Sequence, residues 1–205
     1  PASALRAQTG ATPAAAAAAP ARASAPVFVL NSLDGNVSVI DAVRWTEIKR
    51  IPTGKEPHHL YLTPDEKSVI VANAASDSLT FIDPRTAEVQ RTIRDIRDPY
   101  HLRFSPDMKW FVTASNRLHR VDIYRWQPTA AEPFVLAKRT EAPKTPSHLF
   151  IDSKSTVVYA TLQDSDELLA IDLNTHAVRW KVKIGKMPAD CFLTRDDKHL
   201  LVALT

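Results

Sequence analysis

The sequence predicts an all-β protein, a β-propeller of four-stranded antiparallel blades, and three observations carry that prediction. One segment recurs four times at a spacing in the low forties. Each copy reads as a strand, a polar turn and a second strand. From residue 27 to 205, no stretch sustains a helical period.

The four copies align without gaps: PHHLYLTPDEKSVIVAN from Pro57, PYHLRFSPDMKWFVTAS from Pro99, PSHLFIDSKSTVVYATL from Pro146 and PADCFLTRDDKHLLVAL from Pro188, at offsets of 42, 47 and 42 residues. After the proline comes a short strand such as Leu60-Tyr61-Leu62 or Leu102-Arg103-Phe104. A turn follows, Thr63-Pro64-Asp65-Glu66-Lys67 or Ser105-Pro106-Asp107-Met108-Lys109, and then a β-branched strand such as Val69-Ile70-Val71 or Phe111-Val112-Thr113. Runs rich in Val, Ile and aromatics between Pro/Asp turns are strand signals. Asp65, Asp107 and Asp196 are read as formers of this turn rather than as a catalytic carboxylate pair.

Each repeat continues into a third strand ending in Asp: Val37 to Asp41, Leu79 to Asp83, Arg120 to Asp122 and Leu168 to Asp172. Asp41, Asp83, Asp122 and Asp172 are expected to form the next turn by hydrogen-bonding the backbone two residues on. A fourth strand closes the unit, as in Val89 to Ile93 or Val178 to Val182. Trp45, Trp126 and Trp180 sit before or at the start of fourth strands and are expected to pack between blades. The third unit carries an insertion, Gln127 to Pro133, which accounts for the 47-residue spacing.

Evenly spaced antiparallel strands fit a sandwich, a barrel or a propeller; the 42-residue repeat selects the propeller, because a unit apolar on both faces must stack on its neighbours. Counting gives three strands before Pro57, three full blades, and two strands after Pro188, so the blades at both ends are expected to be incomplete. A ring closed at four blades needs Val27 to Leu30 and Leu200 to Val202 to share one place. Open inner-strand edges are expected to invite pairing with another chain.

The pattern Gly-x-x-Pro, strand, Ser/Thr-Pro-Asp-x-Lys, strand, and a strand ending in Ile-Asp resembles the YVTN-type β-propeller repeat of bacterial YncE-like and lactonase-like propellers. Gly54-Lys55-Glu56-Pro57 and Gly185-Lys186-Met187-Pro188 match its inter-blade turn, whereas Asp98-Pro99 and Thr145-Pro146 keep the Pro and lose the Gly. The resemblance covers residues 27 to 205. It implies a seven-bladed ring of which this chain is a fragment, a periplasmic or cell-surface setting, and kinship with lactonase and haem-containing nitrite reductase propellers.

Residues 1–26 differ in kind. They hold the six-Ala run Ala14 to Ala19, four prolines and no acidic residue. Too little apolar surface is available there to offset the entropy of ordering, and Pro13, Pro20 and Pro26 break any long helix. This segment is expected to be a disordered leader or tether, of the kind left when a secretory signal is trimmed, so export is the expected localisation. Basic and acidic residues nearly balance, at 26 to 23, which disfavours nucleic acid as a partner. Cys191 is the only cysteine, so no intrachain disulfide and no thiolate metal cluster can form. No run approaches the ~18 apolar residues of a membrane span.

The chemistry-bearing pattern is the third position of the repeat: His59, His101, His148 and then Asp190. Stacked blades would bring these to one rim of the channel, with His58 as a spare donor and Arg103, two residues after His101 on the same strand face, as an attractor of anions. Imidazole with a carboxylate suits Zn, Cu or Fe. A plain structural role stands beside this reading: each ring could cap its turn by bonding a carbonyl of the neighbouring blade. The sequence alone assigns no metal and no cofactor. His119, His176 and His199 lack matched partners and are read as surface residues. The first functional expectation is a non-enzymatic binding or scaffold module for a small molecule, peptide or envelope protein. The second is a metal- or cofactor-dependent propeller enzyme or cofactor carrier, lactonase-like or haem-associated, using the histidine rim.

Overall fold

A computed structural model describes residues 25–205; the leader expectation, apart from its last two residues, lies outside them. Seventeen strands form five antiparallel sheets of three, four, four, four and two strands. The first holds β1 (Val27–Asn31), β2 (Asn36–Asp41) and β3 (Thr46–Pro52). The second holds β4 (Pro57–Leu62), β5 (Val69–Asn73), β6 (Ser78–Ile82) and β7 (Val89–Arg94). The third holds β8 (His101–Phe104), β9 (Trp110–Ser115), β10 (Arg120–Trp126) and β11 (Phe134–Glu141). The fourth holds β12 (Pro146–Ile151), β13 (Val157–Leu162), β14 (Glu167–Asp172) and β15 (Val178–Lys183), and the last holds β16 (Pro188–Leu193) and β17 (Leu200–Leu204). Every sheet runs in chain order, as blades do, and the inner strands β4, β8, β12 and β16 pack against one another in sequence. No helix of the described residues is long and apolar enough to cross a membrane.

The blades stack because their middle strands are apolar on both faces. Along β9, Trp110, Val112 and Ala114 point into a core shared with Leu149, Val158, Ala160 and Ile171 of the next blade. Phe111, on the opposite face, enters a core shared with Ile70, Leu79 and Phe81 of the blade before. In β5, Ile70 and Ala72 face one neighbour while Val71 packs with Val37, Val39 and Ile82 on the other side. Successive strand residues point to opposite faces, so a strand buried on both sides reads as a continuous apolar run.

The turns follow their sequence signals. Thr63 and Ser105 donate their hydroxyls to Asp65 and Asp107 two residues on, at 2.7 and 2.6 Å, and accept the backbone N–H that closes each hairpin. Thr194 and Asp196 repeat the bond at 2.7 Å. The carboxylates of Asp41, Asp83 and Asp172 each accept two backbone N–H groups at 2.8–2.9 Å. At Asp172 the backbone bond from Thr175, joined by the Arg179 guanidinium, draws the carboxyl pKa down to about 2.

Four expectations need correction. Asp122 forms no turn: β10 runs on to Trp126, and the Asp122 carboxylate is fully buried in a fork with Arg139 at 3.0 and 3.1 Å, with Arg120 at 3.2 Å. The insertion there lengthens a hairpin, so strand three is longer than its counterparts. Of these three tryptophans, only Trp126 packs between blades, in a core with Ile70 and Phe81 of the preceding sheet. Trp45 is 73% exposed at a positive φ of 56° in a turn, and Trp180 is 41% exposed in the middle of outer strand β15. His176 is half-buried with its ring edge against Trp110 at 4.8 Å, because the turn after β14 leans on the preceding blade. His119 and His199 are exposed as expected.

A stability contrast follows. Phe111→Ala empties a fully buried site shared by two blades and is expected to cost ~3–5 kcal/mol. Trp45→Ala, on an exposed turn, is expected to stay within ~0.5 kcal/mol of wild type. Urea unfolding of the two variants checks this; equal losses would mean that the face-to-face cores are not where the stability resides.

Candidate functional site

A shared backbone device aims the inner strands. The residue before each repeat proline, Glu56, Asp98, Thr145 and Met187, has a positive φ of 46–54°. Non-glycine residues adopt that conformation rarely, yet all four repeats hold it. A register shift follows the proline in β4, β12 and β16. The chain therefore enters each inner strand through the same bend, and the third and fifth positions of every repeat share one face.

The third positions form an upper tier. The rings of His59 and His101 are 4.6 Å apart between centroids, those of His101 and His148 4.5 Å, and those of His59 and His148 5.0 Å. Interplanar angles of 71°, 49° and 88° show rings splayed around a common space rather than stacked. One potential donor atom from each lies within 4.8 Å of the other two. The fifth positions, Tyr61, Arg103, Phe150 and Phe192, form a lower tier. The Arg103 guanidinium lies 4.7 Å over the Tyr61 ring and 5.3 Å over Phe150, and Phe150 meets Phe192 at 5.8 Å.

Hydrogen bonds set what each ring can offer. His59 Nδ1–H donates to the Tyr100 carbonyl of the next blade at 2.6 Å, the expected turn-capping bond, which leaves Nε2 with the lone pair. The Leu149 N–H donates to His101 Nδ1 at 3.3 Å, so the neutral ring carries its proton on Nε2, which faces the Tyr61 hydroxyl at 3.0 Å. His148 Nδ1 lies 2.8 Å from the Ser147 hydroxyl. His58 stacks on Tyr100 at 4.1 Å, and its Nδ1 lies 3.1 Å from that of His59.

Burial keeps the cluster uncharged. His101 is 1% exposed, and its pKa is driven well below the ordinary imidazole value, first by desolvation and then by the neighbouring histidines. Desolvation takes His59 down to about 4 against the pull of the Tyr100 carbonyl. His58 and His148 are also lowered by burial, His148 less freely because the Asp190 charge favours its protonated form.

The remaining sequence candidates are placed as follows. Asp190 is half-buried at the third position of β16, and its carboxylate accepts the Cys191 N–H at 2.7 Å. Arg103 is tied to the framework, its Nε donating to the Leu149 carbonyl at 3.1 Å. Cys191 occupies the fourth position, where Leu102 and Leu149 are buried, and burial raises its thiol pKa to about 12; it is a core residue. The sequence reading missed Tyr61, Tyr100 and Ser147, each of which touches a cluster histidine. Tyr61 could have been found by carrying the repeat alignment two positions further along the same strand face.

The family model of YNCE-like beta-propellers matches residues 2–205. The chain belongs to the YNCE-like beta-propeller family. Hydrazine synthase from Kuenenia stuttgartiensis shares the fold at a TM-score of 0.72 and 20% identity, over 88% of this chain and 52% of that one. A candidate 6-phosphogluconolactonase from Bacteroides fragilis gives 0.72 and 15% identity over 87% and 60%. The dihydro-heme d1 dehydrogenase NirN in complex with DHE gives 0.63 and 18% identity over 85% and 38%. At such identities the likeness is one of fold, and this YNCE-like chain spans roughly two-fifths to three-fifths of those structures' lengths. No curated protein matches the sequence.

The neutral cluster gives a pH prediction with a definite sign. An unfolded histidine titrates near ~6.5, whereas folding lowers the pKa of His59, His101 and His148. Below that unfolded value the unfolded chain binds more protons, so stability present above pH ~6.5 is lost as pH falls toward the folded values. Thermal melts of chelator-treated protein from pH 7 to pH 5, where carboxylates remain ionised, are expected to show a falling Tm, with a smaller fall in His59→Gln. A flat profile contradicts the assignment of buried, neutral rings.

Proposed function

We propose that this chain is the histidine-bearing arc of an exported propeller-type binding module, and that a small polar ligand or peptide segment is held against the His59, His101 and His148 rings. The observation that carries this reading is the convergence of three imidazoles from three successive blades within 5.0 Å between centroids. Neutral imidazoles can each donate one hydrogen bond and accept another. His101 already spends both nitrogens on Leu149 and Tyr61, so the free capacity lies on His59 Nε2, an acceptor, and on His148, beside Tyr100 and Asp190, and it favours a small polar ligand carrying a hydrogen-bond donor. Export rests on the composition of residues 1–26, acid-free and rich in Ala and Pro.

A metal- or cofactor-dependent enzyme or carrier using the same rim is the second reading. Its support is His59, whose Nδ1–H is tied to a carbonyl so that Nε2 is an oriented lone pair. One relative in fold, NirN, is solved in complex with DHE.

The binding reading is tested by thermal-shift titration of chelator-treated protein with a defined panel: 6-phosphogluconate, haemin and a mixture of Gly- and Asp-containing tripeptides. At least one member is expected to raise the Tm of the wild type and to bind about tenfold or more weakly to His59→Ala and His148→Ala, a loss of ~1.4 kcal/mol or more. No shift with any member, or a shift undiminished in both variants, contradicts the reading.

A further inference from the structure

We propose that His59, His101 and His148 together bind one divalent first-row transition-metal ion that favours nitrogen, Zn2+ or Cu2+. This deepens the binding reading above by naming what the same rim holds, and it rests on the rim being accessible to solutes.

Geometry comes first. A tetrahedral ion bonded to imidazole nitrogen at ~2.0–2.1 Å sets its donors about 3.3–3.4 Å apart. The three histidine donor atoms lie within 4.8 Å of one another, so the rings need to close by no more than roughly 1.5 Å, a distance that side-chain rotation covers. The rings face the shared space at steep mutual angles, as donors around a single ion do. They come from three separate strands, β4, β8 and β12, whose cores fix their relative positions, so little ordering remains to be done on binding.

The surrounding bonds resemble the outer shell of an imidazole metal site. The His59 Nδ1–H bond to the Tyr100 carbonyl fixes tautomer and ring orientation, as outer-shell carbonyls do for metal-bound histidine. At His148 the partner of Nδ1 is a hydroxyl, Ser147, which can turn its proton away to free that lone pair. His101 is the ring that must rearrange: binding through Nε2 displaces the Tyr61 hydroxyl, and binding through Nδ1 displaces the long 3.3 Å bond from Leu149. Asp190 adds negative charge next to His148, but its carboxylate lies outside the group of three histidine donors, so the donor set is three imidazoles. Among divalent ions this donor set selects against Mg2+ and Ca2+, which take oxygen ligands.

Isothermal titration of chelator-treated protein with Zn2+ and Cu2+, and with Mg2+ as control, tests the proposal. One ion per chain is expected, with no Mg2+ binding, and with affinity at least about 100-fold weaker in His59→Ala and in His148→Ala but unchanged when the exposed His199 is replaced by Ala. Electron paramagnetic resonance of the Cu2+-loaded wild type needs no folded variant and is expected to show coupling to three nitrogens. Absence of binding, more than one equivalent site, or a Cu2+ spectrum with fewer than three coupled nitrogens overturns it. Because the ligand panel above uses metal-free protein, a panel member that binds through His59 while no metal binds refutes this inference alone.

Discussion

A four-stranded sheet with apolar side chains on both faces cannot keep both of them dry, and the architecture of this chain follows from that constraint. Strand β9 sends Trp110, Val112 and Ala114 one way and Phe111 the other, into two different cores. A central strand of this kind has no solvent side, so a blade is stable only between neighbours. Once three blades stack through such cores, their inner strands lie side by side, and every position of the repeat becomes a column running from blade to blade. The histidine tier is a consequence of stacking before it is anything else.

What distinguishes these histidines from the other repeat columns is what surrounds them. The fourth positions, Leu102, Leu149 and Cys191, are buried hydrophobic filler. The fifth positions make a ladder in which Arg103 is held over Tyr61 and Phe150 and anchored to the Leu149 carbonyl. The third positions bring together groups that are costly to bury. A neutral imidazole at 1% exposure, as at His101, keeps its polar atoms satisfied only because Tyr61 and Leu149 come from the blades on either side. Capping and ligand binding are compatible here, because each ring has two nitrogens and the capping bond of His59 uses one.

The repeat, the strand order and the grouping of His59, His101 and His148 were legible in the sequence because they depend on period and strand alternation, both of which are local. The errors arose where the local pattern and the packing part company. Asp122 looks like its repeat partners, but β10 continues four residues past it, and the carboxylate ends up inside an arginine fork instead of a turn. Trp45 and Trp180 are large and apolar, yet one sits in a turn and the other in the exposed outer strand β15, and the repeat pattern alone does not mark either place as exposed. The contribution of Tyr61 was hidden because it acts across blades, on a histidine forty residues away, and only the stacked structure brings the two together.

The central claim is that separate blades press their third-position side chains into one cluster. Nuclear Overhauser spectroscopy on protein with labelled histidine reads this directly. The account predicts cross-peaks linking ring protons of all three pairs among His59, His101 and His148. Rings that show contacts only to residues of their own hairpin would contradict it.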